Sequence, residues 1–332
     1  MSRKVRQFAR LILMAGVAAG LCAGASKEKI AIAGPGSFWR EPHDISSRDL
    51  FYGPGGKAHQ PRGPYRFLSE DQAGSNPKIN VIDAGGVKWK VKMGQEARPE
   101  TAASRLVWSV GFFTSEDYLV RDFKVEGLPA HLKRGSKLVG PGGAIACARF
   151  KRMPDGEKKI GIWDWRDPLW AHNRDANGLK AVMALINNWD LKPENNAVYQ
   201  RDDERIFLVS DLGASFGTPG RSWPEYKAKD DLAEYEKSTF IRNLRGDAVD
   251  FQTPARPRFV FVVSLPEYLK RVHLESIGKH VPLADARWVG QLLARLSPRQ
   301  IRDAFRAAGY SESDADRFTQ IVLKRIAALT DL

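Results

Sequence analysis

An α+β fold is what this sequence predicts, and three stretches carry the prediction. Residues 79–93 alternate as a strand pair, a helical stripe follows at 98–110, and further extended runs lie at 118–124 and 145–150. Residues 179–210 read as helix, polar loop and hairpin. From Pro266 to the end, apolar residues recur at helical spacing. Strands thus gather in the first half and helices in the second. With 332 residues, 43% of them hydrophobic and nine of them Trp, the chain can build the core of two lobes or of one large domain.

Residues 1–25 read as a secretory signal peptide. Arg3, Lys4, Arg6 and Arg10 make a basic start, Leu11 to Leu21 is an uncharged, mostly apolar run, and Ala23-Gly24-Ala25 has the small-x-small cleavage pattern. That run is shorter than the roughly 20 residues a spanning helix needs. Cleavage before Ser26 and export, periplasmic or extracellular, are expected, with a lipid anchor at Cys22 as the alternative. Loss of the four basic residues lowers the formal charge from +13 to +9 and leaves Cys147 as the only cysteine, so no internal disulfide can form. The positive surplus suits an anionic cell-envelope surface. Basic residues are scattered and no nucleic-acid motif accompanies them, which argues against nucleic acid as a partner. The six histidines show no zinc-type spacing.

Residues 26–76 read as an irregular extension. Gly34-Pro-Gly36, Phe38-Trp39 and Phe51-Tyr52-Gly-Pro-Gly-Gly56 favour turns over regular elements. Ile79 to Ile82 and Val87 to Met93 then form a hairpin around Gly85-Gly86. Val87, Trp89, Val91 and Met93 share one face of the second strand; Lys88, Lys90 and Lys92 share the other. The helix over 98–110 has Pro99 at its first position and Ala102, Ala103, Leu106, Val107 and Val110 as its apolar stripe. Glu100 lies on the edge of that stripe, where a half-buried carboxylate wants a cation. Trp163, Trp165 and Trp170 stand in a turn-rich stretch suited to packing or to a groove wall.

The residues that carry chemistry lie between 190 and 211. Leu179, Val182, Met183, Leu185 and Ile186 form a helical stripe that ends at Asn187-Asn188. Asp190-Leu-Lys-Pro-Glu-Asn195 follows, then strands at 196–199 and 206–210, the second delivering Asp211-Leu-Gly213. Phosphoryl transfer needs a carboxylate to orient and deprotonate an acceptor hydroxyl, and oxygen ligands to hold magnesium on the phosphates. Asp190 suits the first role; Asn195 and Asp211 suit the second.

This stretch resembles the catalytic loop and metal-binding turn of the protein-kinase-like superfamily. It departs from the family in having Asn188-Trp189 where His-Arg precedes the Asp, and Leu212 where the turn has Phe. The resemblance implies a two-lobed fold with a nucleotide between the lobes, a small nucleotide-binding lobe over 77–150 and a large catalytic lobe over 151–332. It implies a phosphate-binding lysine on the third strand, Lys92 or alternatively Lys90, paired with Glu100. Gly85-Gly86 stands where the glycine-rich phosphate loop would be, although the G-x-G-x-x-G signature is absent. Lys192 would offset charge on the transferred group. Magnesium and ATP or another nucleoside triphosphate are the expected cofactors, and the acceptor is a hydroxyl of unknown identity. The activation and substrate-docking segment would follow Gly213, with the family's closing Ala-Pro-Glu matched only by Pro224-Glu225. An exported, atypical bacterial member of the superfamily fits the whole chain.

Two other functions fit parts of it. A catalytically inactive, kinase-shaped binding module would explain Trp189, Leu212 and a destination without cytosolic ATP. A serine hydrolase would use Gly213-Ala-Ser-Phe-Gly217 as a nucleophile elbow, with Ser215 attacking and His273 and Asp231 or Asp250 assisting. The elbow needs a helix immediately after it, and Thr218-Pro-Gly220 opposes one.

Overall fold

The structure, a computed structural model, describes residues 35–74, 76–154, 156–201, 203–218, 229–252 and 265–332, without the side chains of Glu267 and Lys270. The expected leader with Cys22, and Pro224-Glu225, lie outside the described residues. The architecture is α+β, with a β-barrel lobe and a mainly helical lobe.

Five strands close the barrel: β1 (Tyr65–Asp71), β2 (Lys78–Ile82), β3 (Lys88–Met93), β4 (Asp117–Glu126) and β5 (Ala144–Met153), in the order β1-β2-β3-β5-β4. All neighbours are antiparallel except β1 and β4, which run parallel where the barrel shuts. The alternation of β3 decides its orientation. Trp89, Val91 and Met93 fill the barrel with Ile79, Val81, Phe150 and Tyr118, so Lys88, Lys90 and Lys92 face outward. The sequence placed 65–71 in an irregular extension, but it is a full strand. A register shift between Phe67 and Ser69 breaks its alternation and hides it from a period-two reading.

The rest of the extension is tied to the large core. Phe38, Ile45 and Leu50 are buried there, and Phe38 packs edge-on against Trp163 at 4.8 Å and Trp170 at 4.9 Å between ring centres. The tryptophan cluster is therefore packing, not a groove wall.

Helix α1 (Ala97–Ser109) leaves the barrel directly after β3. After the strand β6 (Lys158–Gly161), α2 (Arg174–Leu185) runs through the large core. Asn187 ends α2 in the left-handed region at φ 58°, and the amide of Asn188 reaches back to Met183 O at 2.9 Å. The hairpin β7 (Asn196–Arg201) and β8 (Glu204–Val209) pairs with β6. Beyond it come α3 (Leu232–Lys237), β9 (Ile241–Arg245), β10 (Ala248–Phe251), α4 (Leu265–Ser276), β11 (Val281–Pro282), α5 (Leu283–Leu293), α6 (Pro298–Ala307) and α7 (Glu312–Thr330). Ser297 and Gln300 close a reciprocal capping box on α6, whereas Ser311 caps α7 through its hydroxyl alone. Within the tail, β11 adds to β10 and β9 as a small sheet. No helix among the described residues is long and apolar enough to cross a membrane.

Gly111 joins α1 to the extension. Its φ is +98°, and a Cβ there would stand 2.6 Å from Trp39 Nε1 and press on the Arg40 carbonyl, which is backbone and cannot yield. Gly111→Ala is expected to cost at least about 1–3 kcal/mol from strain and displacement. Urea unfolding should show a lower midpoint with an unchanged slope; an unchanged midpoint refutes this account of the junction.

Candidate functional site

A cluster of buried charges joins the barrel, α1 and the turn after β8. Lys92, at the end of β3, is the centre. Its Nζ lies 3.1 Å from Glu96 Oε2, 2.8 Å from Glu100 Oε2 and 3.0 Å from Asp211 Oδ1. The bonds to Glu96 and Asp211 have hydrogen-bond geometry. Glu100 Oε2 sits off the donor axes of both Lys92 and Arg149, 3.1 Å from the Arg149 guanidinium, so its role there is Coulombic. Arg149 in turn reaches Asp117 at 3.2 Å. Of the two lysines left open by sequence, Lys92 is the one at the cluster; Lys90 pairs with Asp71 at 2.7 Å.

Local sequence explains the convergence. Met93 ends the strand, Gly94 turns the chain at φ +93°, and α1 starts three residues later. This tight corner puts Glu96 and Glu100, one helical turn apart, beside the lysine that precedes the corner. Glu96 also meets Lys229 and accepts a bond from Asn76 Nδ2 at 2.6 Å. Gly213 packs on it so closely that a Cβ would stand 2.7 Å from Glu96 Cβ. Lys229 lies over the Trp189 ring, 5.5 Å from its centre.

Burial sets the charges against one another. Desolvation pushes the Asp211 carboxyl up, but Lys92 outweighs it and holds the group well below the usual carboxylate range. Lys92 itself is held protonated: burial lowers its affinity for the proton, and Glu100, Asp211 and Glu96 more than restore it. Burial raises the Glu100 carboxyl despite Arg149 and Lys92. Four carboxylates (Glu96, Glu100, Asp117, Asp211) and three cations (Lys92, Arg149, Lys229) are linked by these ion pairs.

Asn195 joins the catalytic-loop residues to that cluster. Its Nδ2 donates to Asp190 O at 2.7 Å, while its own carbonyl accepts from the amides of Ser210 at 2.8 Å and Asp211 at 3.2 Å. One residue thus fixes the backbone on both sides of the site. Asp190 Oδ2 bonds Lys192 Nζ at 2.8 Å. Burial lowers the Lys192 ammonium, but Asp190 first and then Asp211 raise it above its ordinary value, so both carboxylates act on one cation. Among the described residues, nothing bonds Asp211 Oδ2 or Asn195 Oδ1. A carboxylate oxygen and an amide oxygen fit a hard divalent cation that keeps several waters. No group of three or more His, Cys, Asp or Glu side chains among the described residues forms a metal cage.

Gly85 and Gly86 are not at this site. They turn β2 into β3 at the end where Ile82 faces Lys88, whereas Lys92 faces Lys78 at the other end, about 13 Å along the strand. Their turn is organised by Asp83, which accepts from the amides of Gly85 and Val87, each at 2.9 Å, and from Trp89 Nε1 at 2.9 Å. The end of the barrel near Lys92 is instead the one where β1 leads into β2, and there Pro77 O accepts from Met93 N at 3.0 Å. Sequence reasoning missed it because β1 was hidden. It also missed Glu96, Arg149 and Lys229; the four-residue spacing of Lys92 and Glu96 was the one available signal.

Ser215 is no nucleophile. It is fully buried, its hydroxyl has no partner among the described residues, and Phe216 follows at φ +55° rather than opening a helix. Asp231 caps α3 through Glu234 N, and Asp250 accepts from His280 N, so neither is poised for a triad.

No known family matches the chain, and no curated protein does. Solved structures that resemble it include a Helicobacter pylori proinflammatory kinase, CtkA, at 12% identity and TM-score 0.45, covering 82% of this chain and 96% of that one. Two structures of the Golgi casein kinase also resemble it. One has 10% identity and TM-score 0.34, covering 87% of this chain and 74% of that one. The other, with Mn/ADP bound, has 11% identity and TM-score 0.30, covering 86% and 76%.

The depressed Asp211 carboxyl gives a pH signature. A group lowered in the folded state adds stability above its unfolded value, near 4, and withdraws it as the pH falls toward the folded value. Asp211→Asn should therefore be less stable than wild type at pH 7, with the gap narrowing below about pH 4. Urea midpoints at pH 7 and pH 3 test this; a gap that is constant across both removes the Lys92–Asp211 pair as its source.

Proposed function

We propose that the chain is a kinase-like phosphotransferase that uses a divalent metal and a nucleoside triphosphate, ATP among the candidates, to modify a hydroxyl acceptor. One observation carries this reading. Lys92 from a barrel strand touches Glu100 from the adjoining helix and Asp211 from the acidic turn, at 2.8 and 3.0 Å. Lys92 and Glu100 come from consecutive elements, and Asp211 joins them from 119 residues beyond Lys92.

In this reading Asp211 and Asn195 offer oxygens to magnesium, whose charge would offset that of the phosphates. Asp190 orients the acceptor hydroxyl and takes its proton, and Lys192, 2.8 Å from that carboxylate, balances the charge change beside it. Lys92 keeps Asp211 ionised and fixed, with Glu100 and Arg149 behind it. Export and attraction to an anionic envelope surface belong to the same proposal and rest on the leader pattern and on the formal charge, which falls from +13 to +9 once the leader's four basic residues are removed. The binding-module alternative draws on Trp189 and on the three carboxylates crowding Lys92.

A thermal-shift screen of nucleoside triphosphates, with and without magnesium, tests the reading on the mature chain. A ligand present at a hundredfold its Kd adds about 2.7 kcal/mol to the folded state and raises the melting temperature. Asp211→Ala should abolish the magnesium-dependent shift. Asp190→Ala should keep the shift and lose about 10²- to 10⁴-fold in turnover. Nucleotide binding with no turnover by wild type favours the binding module; no magnesium-dependent shift with any nucleotide overturns both.

A further inference from the structure

Lys92 meets a nucleotide already surrounded by three carboxylates, so its charge is committed to the protein. A second cation on the same barrel face is not. Strand register puts Lys78 of β2 directly opposite Lys92 of β3. Gly74, between β1 and β2, comes close to it: a Cβ built there would lie 3.4 Å from Lys78 Nζ. The carboxylates that could neutralise it are engaged elsewhere. Asp71, its register partner on β1, pairs with Lys90 at 2.7 Å, and Glu96 serves Lys92, Lys229 and Asn76. No ion pair forms at Lys78 among the described residues.

A half-buried ammonium without a counter-ion is disfavoured. Burial lowers the proton affinity of Lys78, Lys92 and Lys90 lower it further, and Asp71 and Asp211 only partly oppose them. An anion brought beside it relieves that penalty. Gly74, at φ +69°, puts no side chain of its own against the ammonium.

We infer that Lys78 is the phosphate-binding cation of this site, contacting the polyphosphate of the nucleotide on the side of Gly74 while Lys92 serves to position Asp211. This deepens the phosphotransferase reading and rests on it. Lys78 would then set affinity for phosphates and leave the nucleoside part alone.

The test compares wild type with Lys78→Met, Lys78→Arg and Lys88→Met, titrated with ATP, ADP and adenosine in the presence of magnesium. Lys88 is exposed on the same strand face at the far end, and serves as control. Loss of a charge-assisted phosphate contact should weaken ATP and ADP about ten- to a hundredfold in Lys78→Met. Adenosine binding should be unchanged, Lys78→Arg should restore most of the affinity, and Lys88→Met should match wild type. Kinetically, KM for the nucleotide should rise with kcat nearly unchanged, which a merely structural role would not produce. Without ligand, Lys78→Met should melt no lower than wild type. Wild type binding ATP with Lys78→Met equally tight overturns this inference alone; wild type binding none of the three overturns it too, and a wild type that shows no magnesium-dependent melting shift with any nucleoside triphosphate overturns the phosphotransferase reading with it. Equal weakening of adenosine and ATP also overturns it, since that reports a distorted barrel.

Discussion

Everything in the site depends on one buried ammonium. Lys92 is nearly inaccessible, at 2% exposure, and its three carboxylate neighbours come from two parts of the fold. Glu96 stands at the corner between β3 and α1, Glu100 lies one turn further along α1, and Asp211 lies in the turn after β8. A charge that far from water is tolerable only when paired, and removing one partner of such a pair typically costs about 3–5 kcal/mol. The pair therefore acts as a constraint on shape. The barrel, α1 and the acidic turn cannot drift apart without stranding a charge.

The same logic runs outward. Arg149, opposite Lys92 on β5, takes up Glu100 and passes the connection to Asp117 on β4. Across the site Asn195 replaces charge with backbone hydrogen bonds, holding Asp190 with its side chain and Asp211 with its carbonyl. The two carboxylates are thus positioned by different means. Asp211 is fixed by an ion pair and kept ionised; Asp190 is held through its backbone, with its carboxylate facing Lys192.

Much of this was legible in the sequence, and what was not has physical causes. The lysine face of β3 shows in strict alternation, and Asn187-Asn188 ends its helix as a left-handed cap does. The loop from Asp190 to Asn195 and the turn at Asp211 carry their roles in residue type and order. Strand β1 does not, because a bulge between Phe67 and Ser69 shifts the pattern out of phase. Missing β1 moved the expected phosphate turn to Gly85-Gly86, where glycine instead serves a turn organised by Asp83. Arg149 and Lys229 were invisible for another reason: strand register and chain return bring them in, and neither is encoded in local spacing. Ser215 shows the converse error, a pentapeptide that matches a motif while the fold buries its hydroxyl.

Trp189 shows how the site accommodates a departure from the family it resembles. An indole cannot supply the positive charge of an arginine before the catalytic Asp. Its face can hold a cation that comes from elsewhere, since the ring quadrupole attracts an ammonium. Lys229 takes that position, with Glu96 on its other side and its carbonyl accepting from Gln95 Nε2 at 2.6 Å. Its neighbour Asp230 continues the attachment. The Asp230 carboxylate accepts from the Tyr310 hydroxyl and lies 3.9 Å from Arg98, and burial raises it to about 6 even with those partners. The chain therefore returns to the start of α1 through Lys229 and Asp230 together. Positive charge is supplied at the corner beside the catalytic loop, but by a residue whose position depends on α1. The lysine–glutamate cluster and the catalytic loop are in this way linked twice, once through Asp211 and once through Lys229.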